Sequence, residues 1–269
     1  MEPLLEVRGL TLGYRAPLVK DISFSLMPGE MVGILGRNGC GKTTLLRGIA
    51  GGVRRYSGEV LVGGKESRGM SQKERARRMA ILPQQTWILE GITAREVLAM
   101  GLYPHGSAFL TRVDEDRIRK AAAVFGVEEK LEEDCARLSQ GQRQMVLLAE
   151  ILVQDAPVLL LDEPDTALDY DNTYTMFDSV RTLVDQKKKG ALLVLHDPEQ
   201  ALRWCDRLLL LKDGEQVGML PTKETDASAV QSALRELYPK IRVWEDPRTG
   251  EFRCDTEREY LGGSTCRRK

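Results

Sequence analysis

The clearest chemical pattern in the sequence is a glycine-rich segment that ends in lysine and threonine. Residues 36–43 read GRNGCGKT and fit the spacing G-x-x-x-x-G-K-[ST], with an apolar strand before them and a helix after them. The glycines let the backbone wrap so that successive N–H groups point at phosphate oxygens. Lys42 would supply positive charge to the β- and γ-phosphates of a nucleotide, and Thr43 a hydroxyl ligand to Mg²⁺. The residues predicted to contact the nucleotide are Gly36, Asn38, Gly39, Cys40, Gly41, Lys42, Thr43 and Thr44.

Two carboxylates follow an apolar strand later in the chain. Residues 158–163 read VLLLDE, and the end of a buried strand is where a crevice between strands can collect functional side chains. Alone, the pattern would mean only a strand end. Together with a phosphate-binding loop it predicts the magnesium half of a nucleotide site, with Asp162 holding the Mg²⁺ shell. Glu163 would polarise the attacking water as a general base.

A third motif, LSQGQ at residues 138–142, precedes this strand. Ser139 and Gln142 have capping-box spacing, which predicts a helix start. The segment also resembles the LSGGQ signature of ATP-binding-cassette (ABC) ATPases, which place the signature of one subunit against the γ-phosphate bound by the other. The resemblance implies that Ser139, Gly141 and Gln142 contact the nucleotide of a second subunit. Gln140 replaces the first glycine of the usual pair, and activity is expected to survive this change.

Weaker motifs occur in the order typical of the same family. Tyr14 resembles an aromatic that stacks on adenine, and Gln84 resembles the glutamine of the Q-loop, with a catalytic and a metal-binding role. Asp169 resembles the D-loop aspartate and His196 the switch histidine that touches the γ-phosphate. Taken alone, Tyr14 would be a half-buried strand aromatic, Gln84 a surface polar residue and His196 a satisfied core residue at a strand end. Asp165 stands where the family commonly has threonine, and this extra carboxylate is expected either to slow hydrolysis or to change Mg²⁺ affinity.

Cys40 is a candidate reactive thiol inside the phosphate loop. Lys42 and a helix N-terminus lie beside it in sequence, and both favour thiolate over thiol. The sequence therefore predicts inhibition by alkylation and protection by Mg-ATP. The alternative, a small residue packed under the loop, stays open.

The elements around these motifs predict an α/β fold. Apolar or alternating runs at 4–7, 22–26, 31–35, 59–62, 158–161 and 192–195 are typical of strands, and helices are expected to open within 41–47 and near 94–100, 114–125, 140–153, 173–187 and 227–237. Strands that alternate with helices indicate a parallel sheet covered on both faces. With the resemblance, this predicts a P-loop NTPase fold of the ABC type, with an N-terminal antiparallel β subdomain, a parallel-sheet core and an inserted helical subdomain.

Two regions are predicted along the chain. Residues 1–236 form the ABC ATPase domain, with the helical subdomain inserted at about 85–155. Residues 237–269 form a short extension, in which runs at 241–245 and 251–254 flank the turn DPRTG and predict a hairpin.

Composition limits the location and the partners of the protein. A formal net charge of −1 gives no general reason to expect nucleic-acid binding. No apolar run is long enough to span a bilayer and the first residues lack a signal-peptide pattern, which predicts a cytoplasmic protein. Five scattered cysteines without a C-x-x-C pair favour reduced thiols over a disulfide framework or a zinc site.

Residues 82–105 and 195–206 are similar to importer ATPases for iron–siderophore, haem and cobalamin uptake. That resemblance implies an ATP- and Mg²⁺-dependent homodimer at the cytoplasmic face of the membrane, bound to permease subunits and indirectly served by a substrate-binding protein. It also implies that the permease docks on residues 84–89 and 100–103, for which Trp87 is the predicted anchor. Leu102 and Phe109 are expected to pack inside the helical subdomain instead.

Two other functions compete with this interpretation. A soluble ABC ATPase acting on nucleic acid or ribosomes would carry a coiled-coil insertion, tandem cassettes or a basic face, and none of these is evident in the sequence. A nucleotide-binding regulator without turnover is disfavoured by the presence of Glu163 and His196.

Overall fold

A large mixed sheet organises the protein. The computed structural model describes residues 1–84, 90–106 and 112–256. Its strands are β1 (Leu5–Gly13), β2 (Pro17–Leu26), β3 (Met31–Leu35), β4 (Arg54–Val62), β5 (Lys65–Glu66), β6 (Met79–Leu82), β7 (Val158–Asp162), β8 (Gly190–Val194), β9 (Arg207–Lys212), β10 (Glu215–Pro221), β11 (Ile241–Glu245) and β12 (Phe252–Thr256). Its helices are α1 (Lys42–Ile49), α2 (Gln72–Arg78), α3 (Ala94–Met100), α4 (Arg112–Val124), α5 (Gln140–Gln154), α6 (Tyr170–Lys187), α7 (Pro198–Trp204) and α8 (Ala227–Arg235).

Within these described residues, ten strands form one sheet in the order β5-β4-β1-β2-β10-β9-β3-β8-β7-β6. Strands β9, β3, β8, β7 and β6 pair in parallel, whereas β1 pairs antiparallel with β2 and β4. A single parallel bridge, Glu215 with Lys20, joins β10 to β2. The predicted antiparallel subdomain and parallel core are therefore both present, and they share one continuous sheet.

The central strands are buried at every position, which is why they are continuous apolar runs rather than alternating ones. Alternate side chains enter two different clusters. Met31 and Leu35 of β3 belong to the cluster that includes the helical subdomain, and Val32 and Ile34 to the cluster beneath the antiparallel strands. The sheet thus divides two apolar cores, one on each face.

The helical subdomain is built around α5. Its apolar residues Met145, Leu148 and Ile151 are buried, Leu152 is half-buried, and the helix packs against α3, α4 and β6. Leu102 is also buried, as predicted. No helix among the residues that the structure describes is both long and apolar enough to cross a membrane.

The predicted C-terminal hairpin is present as a separate two-stranded antiparallel sheet, β11–β12. Its first strand packs on α8 and its second on α7. The predicted division into regions at residue 237 stays a prediction.

Candidate nucleotide-binding site

The phosphate loop connects the buried strand β3 to α1, and two of its glycines have no room for a side chain. A Cβ at Gly36 would lie 2.3 Å from the carbonyl oxygen of Leu211. Gly41, the residue before α1, has φ 106°, and a Cβ there would lie 2.7 Å from Val19 Cγ2. Lys42 Nζ donates a hydrogen bond to the carbonyl oxygen of Gly36 at 2.8 Å. The loop is therefore closely packed, with its lysine folded over it.

A cavity of about 440 Å³ lies over this loop. It brings together most of the residues predicted from the sequence; its lining consists of Leu18, Asn38, Gly39, Gly41, Lys42, Thr43, Thr44, Gln84, Glu163 and His196. Sequence reasoning missed Leu18, because an apolar residue in a strand gives no sign that it borders a cavity. The other candidates, Tyr14, Gly36, Cys40, Ser139, Gly141, Gln142, Asp162 and Asp169, do not line it.

Asp162 lies behind the cavity at the end of β7 and is fully buried. Its Oδ1 accepts a hydrogen bond from Thr43 Oγ1 at 3.0 Å, whereas Oδ2 has no hydrogen-bond partner among the described residues. Burial raises the pKa of Asp162, and the nearby charge of Glu163 adds to that rise, against the hydrogen bond from Thr43. An orphaned buried carboxylate oxygen beside a hydroxyl is a donor set that fits a hard divalent cation.

Glu163 is the centre of the cavity's polar groups. Its Oε2 accepts a hydrogen bond from Gln84 Nε2 at 2.7 Å, and its Oε1 lies 2.5 Å from His196 Nε2. The three residues follow the carboxyl ends of β6, β7 and β8, which meet at one edge of the sheet. Glu163 has φ 52°, so the chain turns sharply there and its side chain reaches the cavity although Asp162 precedes it directly. The three predicted catalytic residues are thus in contact.

Asp165 is close to this group without lining the cavity. Burial raises its pKa, and the charges of Asp197 and Glu163 add to the rise, although its own backbone and His196 oppose it. The structure therefore places a second carboxyl group near Glu163 and leaves both of its predicted effects open.

The burial of Cys40 disfavours the predicted thiolate. Its side chain is buried in the core beneath the antiparallel strands. Burial raises the pKa of the thiol, and this outweighs the attraction of Lys42. The packing supports the alternative: Cys40 is a small residue under the loop, and its Sγ would be 2.5 Å from a Cβ at Gly36.

The signature and D-loop residues lie outside the cavity. Ser139 Oγ accepts from the Gln142 backbone N–H at 3.2 Å, and Gln142 Oε1 accepts from the Ser139 N–H at 3.0 Å, so the predicted capping box is present. Gly141 is next to the Ala167 carbonyl, 3.1 Å from where its Cβ would be. Asp169 caps α6 by accepting from the Asn172 N–H. Ser139, Gln142 and Asp169 are exposed on the surface of the chain.

Tyr14, directly after β1, is 58% exposed. Its carbonyl oxygen accepts a hydrogen bond from the Tyr56 hydroxyl, and its ring is free of aromatic contacts within the described part of the chain. Trp87, Ile88 and Leu89 of the predicted docking surface lie outside the described residues, as does Phe109, which is predicted to pack inside the helical subdomain.

The phosphate loop follows a buried parallel strand, and its lysine folds back over it. With a carboxylate that contacts a glutamine and a histidine at the same sheet edge, this arrangement defines a P-loop nucleotide-binding protein. A family model described as "ABC transporter" matches residues 19–166, more than half of the chain. The chain belongs to this family, as the sequence motifs predicted.

Relatives of this chain are ATP-binding proteins of import systems. It is 36% identical to a cobalamin import ATP-binding protein of Halobacterium salinarum over 91% of this chain, and it spans 62% of that relative's length. It is 32% identical to a petrobactin import ATP-binding protein of Bacillus anthracis, over 94% of this chain and 93% of the relative. A hemin import ATP-binding protein of Bordetella pertussis is 36% identical, over 81% of this chain and 86% of the relative.

Solved structures agree on the fold. An ATP-binding subunit of an ABC transporter is similar with a TM-score of 0.77 and 25% identity, over 87% of this chain and 99% of that one. A dimeric bacterial ABC transporter cassette is similar with a TM-score of 0.76 and 24% identity, over 82% and 100%. The predicted ABC-type fold is confirmed.

Proposed function

We propose that this chain is the ATP-hydrolysing subunit of an ABC importer for a siderophore, haem or cobalamin type of solute. The observation that carries the proposal is the contact of Gln84 and His196 with Glu163 in the cavity over the phosphate loop. The import systems named for the relatives support the solute class. They do not favour the alternative of an ATPase that acts on nucleic acid or ribosomes.

The residues of the loop suit ATP and Mg²⁺. Lys42 would exchange the Gly36 carbonyl for phosphate oxygens, which carry full negative charge and attract it more strongly. Thr43, Asp162 and Gln84 would hold Mg²⁺, and the unpartnered Oδ2 of Asp162 supports this assignment. When bound, the ion neutralises charge that develops on the phosphates.

Glu163 would act as the general base. It accepts the proton of the attacking water, and its two oxygens are oriented by Gln84 and His196. His196 lines the cavity and can donate from Nε2, so it would also contact the γ-phosphate.

The cavity of one chain lacks the signature residues, and this favours a composite site in a homodimer. Ser139, Gly141 and Gln142 lie at the N-terminus of α5, where backbone N–H groups suit a phosphate. In a head-to-tail dimer these residues, with Asp169 beside them, would complete the site of the partner chain. Tyr14 would stack on the adenine of the nucleotide bound by its own chain.

Membrane partners would bind beside the Q-loop. Met100 is 54% exposed and Tyr103 62%, although Leu102 between them is buried. A cavity of about 600 Å³ bordered by α1, α2, β6 and α5 lies in the same region. We propose that a permease docks on residues 84–89 and 100–103, with Trp87 as anchor, and that the chain is a peripheral protein of the cytoplasmic membrane face. A substrate-binding protein would act through the permease.

Replacing Glu163 with glutamine tests this function. Glu163→Gln keeps the size and one of the two acceptor oxygens, but the amide cannot accept a proton from water, so turnover should fall at least about 100-fold. The affinity for nucleotide should equal that of the native chain, and the variant should remain dimeric when ATP is bound. Steady-state hydrolysis, nucleotide titration and light scattering measure the three effects.

Glu59→Gln is the matched control, because Glu59 is exposed on β4 away from the cavity. It should behave like the native chain. Hydrolysis by Glu163→Gln at the native rate would show that the general base is misassigned.

A further inference from the structure

The C-terminal hairpin holds the helix that begins next to the proposed switch histidine. Glu199 lies in the first turn of α7, and both of its carboxylate oxygens are bound by β12. Arg253 Nη1 donates to Oε1 at 2.8 Å, and the Cys254 backbone N–H donates to Oε2 at 3.0 Å. The start of α7 is therefore attached to the hairpin through one side chain.

Little freedom remains between Glu199 and His196. Asp197 caps α7 by accepting from the Glu199 N–H at 2.8 Å, and Pro198 at the first helical position fixes φ. His196 directly precedes this rigid cap, and its Nε2 pairs with Glu163. A displacement of Glu199 would thus be passed to the contact between the histidine and the proposed general base.

Ion pairs within the hairpin and a hydrogen bond to α8 stabilise the position of the hairpin. Arg253 also pairs with Glu251 at 3.4 Å and Asp246 at 3.8 Å, both within the hairpin. On the other strand, the Val243 N–H donates to Gln231 Oε1 of α8 at 2.9 Å. These contacts let the hairpin act as a fixed support for Glu199.

The segment before the hairpin contacts the phosphate loop as well. Burial raises the pKa of Tyr238 to about 12, against the effect of a hydrogen bond with the Gly36 backbone. Tyr238 and Cys254 border one cavity of about 600 Å³ with Arg37 of the loop and Asp197 of the α7 cap. The C-terminal segment therefore borders both the phosphate loop and the helix cap that follows His196.

We propose that Arg253 is a positioning residue for ATP hydrolysis, which acts through Glu199 and α7 to hold His196 against Glu163. The inference rests on the proposed function. Arg253 and Glu199 are each about one-third exposed, at 33% and 31%, and an ion pair of that exposure adds little to global stability. The effect of removing it should therefore appear in turnover rather than in folding.

The first test compares Arg253→Ala with Arg242→Ala, an exposed arginine on the other strand of the same hairpin. Arg253→Ala should lower kcat about five- to tenfold, because small misplacements of catalytic groups reduce rates steeply. KM for ATP and the melting temperature should stay unchanged, and Arg253→Lys should recover part of the loss. Arg242→Ala should match the native chain. A kcat for Arg253→Ala within twofold of native would overturn the proposal.

A second test asks whether Arg253 acts through His196. Single-turnover hydrolysis is measured with Arg253→Ala added to His196→Ala. If the arginine acts only through the histidine, the double variant should hydrolyse at the rate of His196→Ala alone. A further loss by the same factor as in the native background would place its action elsewhere and overturn the proposal.

A third readout needs no hydrolysis. The chain has two histidines, so its imidazole NMR signals report on His196 with His105 as an internal reference. Arg253→Ala should shift the His196 signal and leave the His105 signal in place; an unmoved His196 signal would contradict the inference. Because this test does not depend on turnover, it separates a failure of the positioning role from a failure of the proposed ATPase function, which Glu163→Gln tests.

Discussion

Glu163 has a left-handed backbone conformation that few residues other than glycine adopt. Holding such a residue costs on the order of 1–3 kcal/mol, and it persists only where surrounding contacts fix it. Here Gln84 and His196 hold both carboxylate oxygens. The strain thus coincides with the atoms to which we assign the proton transfer.

Cys40 gives a prediction at this scale. Because burial raises the pKa of its thiol, maleimide should not react with it at neutral pH faster than with an ordinary cysteine. The native chain and Cys40→Ser should therefore lose hydrolysis to maleimide at equal rates. Mass spectrometry of the peptide that contains Cys40 provides the control. Inhibition that Mg-ATP prevents, and that disappears in Cys40→Ser, would show a reactive thiol after all.

Helix α5 carries the signature segment at its N-terminus and a glutamate with a raised pKa near its C-terminus. It begins at the capping box of the signature, and one turn before its end it carries Glu150, which borders the cavity between α1, α2 and β6. Burial raises the pKa of Glu150 from 4.5 to about 7. The same helix therefore connects the proposed nucleotide contact of a partner chain with the region where we place the permease.

Glu150 makes the stability of the isolated chain depend on pH. Its folded pKa lies above the unfolded value, so the native state binds the proton more tightly and stability falls as pH rises from about 4.5 to 7. Glu150→Gln should be more stable than the native chain at pH 8, by at most about 3 kcal/mol, and nearly equal at pH 5. Thermal unfolding at the two pH values measures this. Glu128→Gln, an exposed control, should show no such difference, and equal shifts in both variants would refute the assignment.

At the scale of the whole molecule, the described residues of one chain bring together only part of the proposed hydrolytic site. Lys42 and Glu163 face one cavity, whereas Ser139 and Gly141 lie outside it in the same chain. Turnover should then need two chains, each of which supplies what the other lacks.

Mixing two inactive variants tests this composite arrangement. Ser139→Arg chains and Lys42→Ala chains should together form heterodimers with at most one competent site, and activity should reappear in the mixture. The native rate should also rise more steeply than linearly with protein concentration while monomers predominate. Light scattering provides the oligomeric state in parallel. Strictly linear scaling of rate among monomers would exclude the composite site.

Much of the site could be predicted because its residues are local in sequence. The functions predicted for GRNGCGKT and for the pair Asp162-Glu163 depend on backbone geometry within a few residues. The capping-box spacing of Ser139 and Gln142 likewise predicts the start of α5. Strands β6 and β9 are not predicted as elements. MAIL is only four residues long and follows a helix-forming run, and the short apolar run LLLL fits a buried helix segment as well as a strand. The burial of Cys40 and the link from Glu199 to Arg253 depend on elements distant in sequence, which no local pattern reports.

The division of the central sheet into two cores has a consequence for how this protein can diverge. Successive residues of β3, β7 and β8 serve opposite faces, and the phosphate loop, Glu163 and His196 follow those strands almost at once. One inserted or deleted residue would exchange the two apolar faces and shift the functional group by about 3.3 Å along the strand axis. Exchanges among valine, leucine and isoleucine change neither which face a residue points to nor where the functional residues lie along the strand. Related chains should therefore vary in which apolar residue stands at these positions, whereas the lengths of the strands should hardly vary.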